Sequence, residues 1–293
     1  MHKIILTILL FVFWAVPAFA QETLWSRTYG DGGSEADYSR SVQQTTDGGY
    51  IVAGDTWSFG AGGYDVLLIK TNSTGDTLWT RTYGGSSWDR GFSVQQTADG
   101  GYIVTGYTES FGAGLDDVYL IKTYPNGDIV WSRTYGGSSW DEGNSVQQTT
   151  DGGYIVAGYT WSFGEGDGDV YLIKTNSTGD TLWSRTYGGS SNDEGYSVQQ
   201  TTDGGYIVAG CTNSFGAGIY DVYLIKTNST GDIVWTRTYG GTKWDEGFSV
   251  QQIPGGVYSG GRDKLFWCRR LGCLSDQDQL NRWHPLEQHL RGE

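Results

Sequence analysis

The apolar positions of this chain fall into short runs separated by glycine-rich turns, and the runs recur. The stretch 93–135 is representative. Ser93-Val-Gln-Gln-Thr97 is followed by Ala98-Asp-Gly-Gly101 and then by Tyr102-Ile-Val-Thr-Gly106. A glycine-rich stretch around Ser110-Phe-Gly-Ala-Gly114 leads into Asp117-Val-Tyr-Leu-Ile-Lys-Thr123. Tyr124-Pro-Asn-Gly127 then leads into Asp128-Ile-Val-Trp-Ser-Arg-Thr-Tyr135. The pattern predicts four strands, a to d. The a–b and c–d connections are compact turns in which Gly supplies positive φ, and turns this short make neighbouring strands antiparallel. Strand c is apolar on both faces, as at Val118, Tyr119, Leu120 and Ile121, which predicts a sheet covered on both sides.

The unit repeats. Trp25, Trp79, Trp131, Trp183 and Trp235 recur at spacings of 54, 52, 52 and 52, and each opens the phrase W-[ST]-R-T-Y-G. Complete units are expected at 41–83, 93–135, 145–187 and 197–239, with a fifth beginning at Ser249. An orphan d-strand is expected around Leu24 to Tyr29, placed to complete a last blade. A four-strand meander of this length is a β-propeller blade. The predicted fold is therefore an all-β propeller of ~52-residue blades. A parallel β-solenoid has shorter coils and lacks the repeated tight reversals, and 52 residues are too few for separate sandwiches.

At T-G-x-x-x-W the chain resembles a known family. Thr74-Gly75 with Trp79, Thr178-Gly179 with Trp183, and Thr230-Gly231 with Trp235 are similar to the tryptophan-docking motif of quinoprotein-type propellers. The turn before Trp131 departs, reading Asn126-Gly127. The resemblance implies blade architecture and does not carry over cofactor binding. More broadly, 24–253 resembles the S-V-Q-Q-T-x-D-G-G-Y-I-V-A-G repeats of uncharacterised secreted bacterial proteins, which implies export and repetition.

Composition agrees. The 20 Tyr and 13 Trp favour strands, and the 47 Gly fit many turns. Residues 1–20 read as a signal peptide: Lys3, an apolar run from Ile4 to Val16, and Ala18-Phe19-Ala20 as a cleavage pattern. The mature chain would begin at Gln21 and be secreted to the extracellular space or cell surface, or held in the periplasm. Net charge is −14, and 21–256 holds 28 acidic against 12 basic residues, which argues against nucleic acid or an anionic membrane as partner. Three Cys make no disulfide framework. Cys211 stands where neighbouring units have Tyr107 and Tyr159, as a small buried substitute.

The fifth unit opens Ser249-Val-Gln-Gln-Ile-Pro-Gly-Gly256 and then departs, giving Val257-Tyr-Ser-Gly-Gly261 where Y-I-V-A-G is expected. Back-translated with codons chosen freely among synonyms and read one base later, 257–293 gives Y-I-V-A-G, then T-N-S-F-G-A-G and D-V-Y-L-I-K-T-N-S-T-G. Residues 257–293 thus read as an aberrant tail, the out-of-frame translation of a further repeat. The propeller domain is 21–256, and Cys268, Cys273, His284 and His289 have no role.

Residues 21–256 contain no His and one Cys. Catalytic triads and zinc sites built on His or Cys pairs are excluded there. A quinone cofactor is not expected. Calcium is the one ion to weigh, because Asp141-Glu142 and Asp245-Glu246 put paired carboxylates beside glycine. Trp79, Trp131, Trp183 and Trp235, with Arg81, Arg133, Arg185 and Arg237, recur in every unit and are expected to be structural. So are the strand-c lysines, paired with an Asp of the same or next blade. Asn72, Asn176 and Asn228 sit in N-S-T turns, as turn formers. The d–a and b–c connections vary most, and Trp57, Trp88, Trp140, Trp161 and Trp244 fall there. In a propeller these connections share a face, so the five define an expected ligand-binding rim. The expected function is an exported, non-catalytic binding or structural module with an extracellular glycan or protein as partner. The alternative is a carbohydrate-active protein, glycan-binding or hydrolytic, using that aromatic and acidic face.

Overall fold

The computed structural model describes residues 25–30, 36–253, 256–261, 265–269 and 272–274. The expected signal peptide at 1–20, Leu24 and 275–293 lie outside them. Among the described residues every regular element is a strand, and each sheet is a four-stranded antiparallel meander in sequence order. The chain is an all-β tandem-repeat protein built of propeller blades. Two compact units divide at Tyr135/Gly136.

Unit 1 holds two blades. The first is β1 (Asp37–Gln44), β2 (Tyr50–Thr56), β3 (Asp65–Thr71) and β4 (Thr77–Tyr83). The second is β5 (Asp89–Gln96), β6 (Tyr102–Thr108), β7 (Asp117–Thr123) and β8 (Ile129–Tyr135). Strands b and c are buried on both faces throughout, as their unbroken apolar text requires, and strand d is largely exposed. One core joins the two sheets, with Ile51, Val66 and Leu68 meeting Val94, Tyr102 and Ile121.

Unit 2 repeats the plan with β9 (Asp141–Gln148), β10 (Tyr154–Thr160), β11 (Asp169–Thr175) and β12 (Thr181–Tyr187). It continues with β13 (Asp193–Gln200), β14 (Tyr206–Thr212), β15 (Asp221–Thr227) and β16 (Ile233–Tyr239). A fifth sheet follows: β17 (Gly247–Ile253), β18 (Gly256–Gly261), β19 (Leu265–Arg269) and β20 (Gly272–Leu274). Strand β18 occupies the b position in register, Val250 facing Ser259 as Val198 faces Val208.

Three contacts explain the repeated text. In S-V-Q-Q the side chains bond one a-strand to the next: Gln96 N donates to Gln43 Oε1 (2.6 Å) and Val94 N to Ser41 Oγ (3.2 Å). In unit 2, Gln200 N donates to Gln147 Oε1 and Gln252 N to Gln199 Oε1, each at 2.5 Å. The d-strand docks on the following c–d turn. Trp79 packs edge-on to Tyr102 at 5.8 Å, and Tyr83 Oη donates to the Gly127 carbonyl at 2.7 Å. Trp183, Tyr206, Tyr187 and Gly231 do the same in unit 2. Finally, each strand-c lysine folds onto the a–b turn of its own blade. Lys70 reaches Asp47 at 2.9 Å and donates to the Thr71 carbonyl at 2.8 Å.

Two details differ from expectation. The a-strands begin at Asp37, Asp89, Asp141 and Asp193, four residues before S-V-Q-Q, because a β-bulge lets the preceding residues stay paired. Residues 25–29 form no strand. They still dock like a d-strand, with Trp25 against Tyr50 and Tyr29 Oη donating to the Gly75 carbonyl at 2.8 Å.

Candidate functional site

The d–a and b–c connections meet at one end of each blade. They are held there by an Asp that opens strand a. Asp89 accepts from Ser110 Oγ at 2.6 Å, from Gly85 N at 2.8 Å and from Thr108 Oγ. Asp141 accepts from Ser162 Oγ at 2.6 Å, from Gly137 N at 2.8 Å and from Thr160 Oγ. A second Asp, opening strand c, ties down the b–c loop, as Asp65 does by accepting from Ala61 N at 2.8 Å. The two carboxylates crowd the glycine that ends strand d. A Cβ on Gly84 would lie 2.1 Å from Asp65 Oδ1 and 2.6 Å from Asp89 Oδ2. Gly188 is enclosed likewise by Asp169 and Asp193. Burial, reinforced by the charge of Asp193, pushes Asp169 up to about 6. Burial and the charge of Asp89 raise Asp65.

The five rim tryptophans all sit at this end, each between 40% and 47% exposed. Trp57 and Trp88 lie 6.3 Å apart, nearly perpendicular, and Trp140 and Trp161 lie 5.6 Å apart. Trp244 stacks obliquely on Tyr220 at 4.8 Å. Each ring covers part of a loop and leaves part open. Backbone bonds pin them, Trp161 N donating to the Trp140 carbonyl at 2.8 Å and Trp57 N to the Ala36 carbonyl at 3.2 Å.

The Asp141-Glu142 and Asp245-Glu246 pairs are not brought together as ligands. Asp141 is spent on the loop, and Glu142 is the next residue of strand β9, facing Tyr159 across the ladder on the other face. Asp245 accepts from Gly241 N at 2.9 Å. Among the described residues, no group of three or more His, Cys, Asp and Glu is placed to hold a metal ion.

The repeated residues are built into the frame. Arg81 stacks over Trp79 and approaches Asp128 of the following turn at 3.6 Å, and Arg133, Arg185 and Arg237 stack over Trp131, Trp183 and Trp235. Asn72 closes its turn, accepting at Oδ1 from Thr74 N and Asp76 N, both at 2.9 Å. Cys211 is buried, and burial pushes its thiol up to about 12, so it is unreactive near neutral pH.

The variable residues form a pattern that the tryptophan columns alone do not reveal. Each a-strand carries its bulged residue at the same place: Arg40, Phe92, Asn144, Tyr196 and Phe248. Two residues earlier a cross-strand pair also changes: Tyr38 with Asp55, Arg90 with Tyr107, Glu142 with Tyr159, Glu194 with Cys211. Aligning the units column by column exposes these positions in the sequence. Their meeting at one place follows from the bulge, which turns the extra side chain toward the pair.

In unit 1 these positions carry charge. Arg40 Nε donates to Asp55 Oδ1 at 2.9 Å, and Arg40 lies over both Tyr38 (5.3 Å) and Phe92 (5.5 Å). Arg90 lies over Tyr64 at 4.5 Å, Trp88 at 5.3 Å and Tyr107 at 5.9 Å. In unit 2 the corresponding place holds Tyr196, whose hydroxyl donates to Glu194 Oε2 at 2.8 Å and lies 3.4 Å from Cys211 Sγ.

No family model matches the chain. It is 27% identical over 238 residues to "Regulatory protein FlaEY" of Caulobacter vibrioides, a match over 67% of this chain and 25% of that protein. The chain therefore spans about a quarter of the length of that relative. Among solved structures it is similar to the WD40 β-propeller domain of Doa1, with a TM-score of 0.45 and 13% identity over 88% of this chain and 84% of that one. It is also similar to the WD40 domain of Pan2 from Neurospora crassa, with a TM-score of 0.49 and 9% identity over 82% and 78%. A gluconolactonase-type structure gives 0.43 and 10% over 85% and 94%.

Proposed function

We propose that this chain is an exported, non-catalytic binding module whose working surface is the rim of a-strand starts and b–c loops. Its partner is an extracellular glycan or protein, with glycan preferred. The observation that carries the reading is the distribution of change. The residues that build each blade repeat, whereas the bulged residue, its neighbouring cross-strand pair and the rim aromatics differ from blade to blade. Loops on a rigid scaffold are where binding residues concentrate. Half-exposed tryptophans pinned by their backbone are suited to stacking on a sugar ring. The carboxylates that come together are engaged by Thr, Ser and backbone N–H groups, which favours binding over glycoside hydrolysis.

A glycan array probed with the mature chain tests this. Binding to a restricted set of glycans that Trp88→Ala or Trp140→Ala weakens at least ~10-fold supports it. Absence of any glycan ligand, or binding indifferent to both substitutions, contradicts it.

A further inference from the structure

We infer that the rim of unit 1 is a recognition site for an acidic saccharide, with Arg40 and Arg90 holding its carboxylate or sulfate and Trp57 and Trp88 receiving a sugar face. The inference rests on the binding reading above and narrows it to one place and one ligand class.

Charge distribution comes first. Of the 12 basic residues in 21–256, four are the repeated strand-c lysines and five the repeated d-type arginines, so 12 − 4 − 5 leaves three: Arg40, Arg90 and Lys243. Two of those three meet at this rim. Where unit 1 has Arg90, unit 2 has Glu142, Glu194 and Glu246. At that one aligned position the sign changes from acidic in unit 2 to basic in unit 1.

Geometry then limits what the arginines can be for. Asp55, fully buried, compensates one positive charge through its bond to Arg40. The second, Arg90, lies over the Tyr64 and Trp88 rings, and among the described residues its buried Nε has no acceptor. Desolvated charges with unmet hydrogen bonds are costly, and an anion that engages a guanidinium fork lowers that cost. Stacking on Tyr64 and Trp88 fixes the plane of the Arg90 fork beforehand.

The rings beside the fork favour a sugar as carrier of the anion. Trp57, Tyr64 and Trp88 are mutually near-perpendicular, at 4.8–6.3 Å. Both tryptophans keep open surface. A uronate or sulfated pyranose holds an apolar C–H face and an anionic group on one rigid ring, matching rings and fork placed side by side.

The test uses the mature full chain and calorimetric titration with an oligogalacturonate, a sulfated oligogalactan and the neutral oligogalactan of equal length. The acidic ligands are expected to bind at least ~10-fold more tightly than the neutral one, the advantage shrinking as salt rises. Arg90→Met should remove the advantage, and Arg90→Lys should retain part of it. The unmodified chain tests the claim independently of whether a variant folds. Which acidic ligand binds better identifies carboxylate or sulfate as the source. Equal affinity for acidic and neutral ligands, or an advantage that Arg90→Met leaves intact, overturns the site but not the binding reading. Binding of none of the three also overturns the site, and the glycan array decides the binding reading separately.

Discussion

Trp79 lies over Gly127, the turn glycine of the following blade: a Cβ there would come within 3.0 Å of the indole and 2.7 Å of Arg81 Cγ. The glycine also has φ +84°. Gly48 in the a–b turn has nearly the same φ, +81°, with nothing within 4 Å of a Cβ. Both glycines are needed for backbone conformation, and only Gly127 is needed for contact. Gly48→Ala should cost about 1–2 kcal/mol, the left-handed penalty. Gly127→Ala should cost about 1–3 kcal/mol more, the range for overpacking. Thermal unfolding of the two variants decides it, and equal losses would remove the docking role.

The glutamine ladder gives a second expectation. Gln147→Ala leaves Gln200 N without its acceptor at a blade junction, so a loss of about 1–3 kcal/mol is expected. Hydrogen exchange localises it: the Gln200 amide should lose protection, while Gln96 in unit 1, held by Gln43, should not.

Much of this was legible in the sequence because strands, turns and docking glycines leave local signatures. D-G-G and S-T-G turns, apolar runs and the Trp spacing located every sheet before Ser249. Ladder partners were not legible. Nothing in S-V-Q-Q says that Gln96 N meets Gln43 Oε1, because that depends on how blades stack. The Arg40–Asp55–Arg90 cluster was hidden for a similar reason. The three residues are spread over 51 positions (90 − 40 + 1) and meet only through a bulge whose register is a property of pairing, not of composition.

Acid dependence carries two opposite signs. Hydrogen bonds from Thr45 and Lys70 hold Asp47 down to about 2, and Asp151 and Asp203 lie at about 2 through the equivalent bonds. Their contribution is present above the unfolded value near 3.9 and is lost as pH falls toward 2. Asp169, pushed up to about 6 by burial, works the other way: its ionisation above pH 6 weakens the fold, so stability rises as pH falls from 6 to about 4. Melting temperature should therefore peak near pH 4, fall below it, and decline between about pH 4 and 6 to a plateau above. Asp169→Asn should flatten the alkaline side. A melting temperature that rises steadily to pH 8 would refute this assignment.

The tail makes a prediction of its own. Ser259 is 1% exposed and its Oγ has no partner among the described residues, at the position of Val208, Val156, Val104 and Val52. A buried hydroxyl without a hydrogen bond costs about 1–3 kcal/mol, so Ser259→Val should stabilise the fifth sheet. Resequencing codons 250–260 should restore Y-I-V-A-G at this strand. An unaltered frame would make the tail native to the product.

In the proposed function the rim, and not the opposite end with its a–b and c–d turns, meets the ligand. Hydrogen exchange of the full chain with and without its tightest array ligand tests it directly. Protection is expected in 57–64 and 85–92, with 46–49 and 72–76 unchanged. Protection confined to those turns, or spread evenly over both ends, would contradict the account.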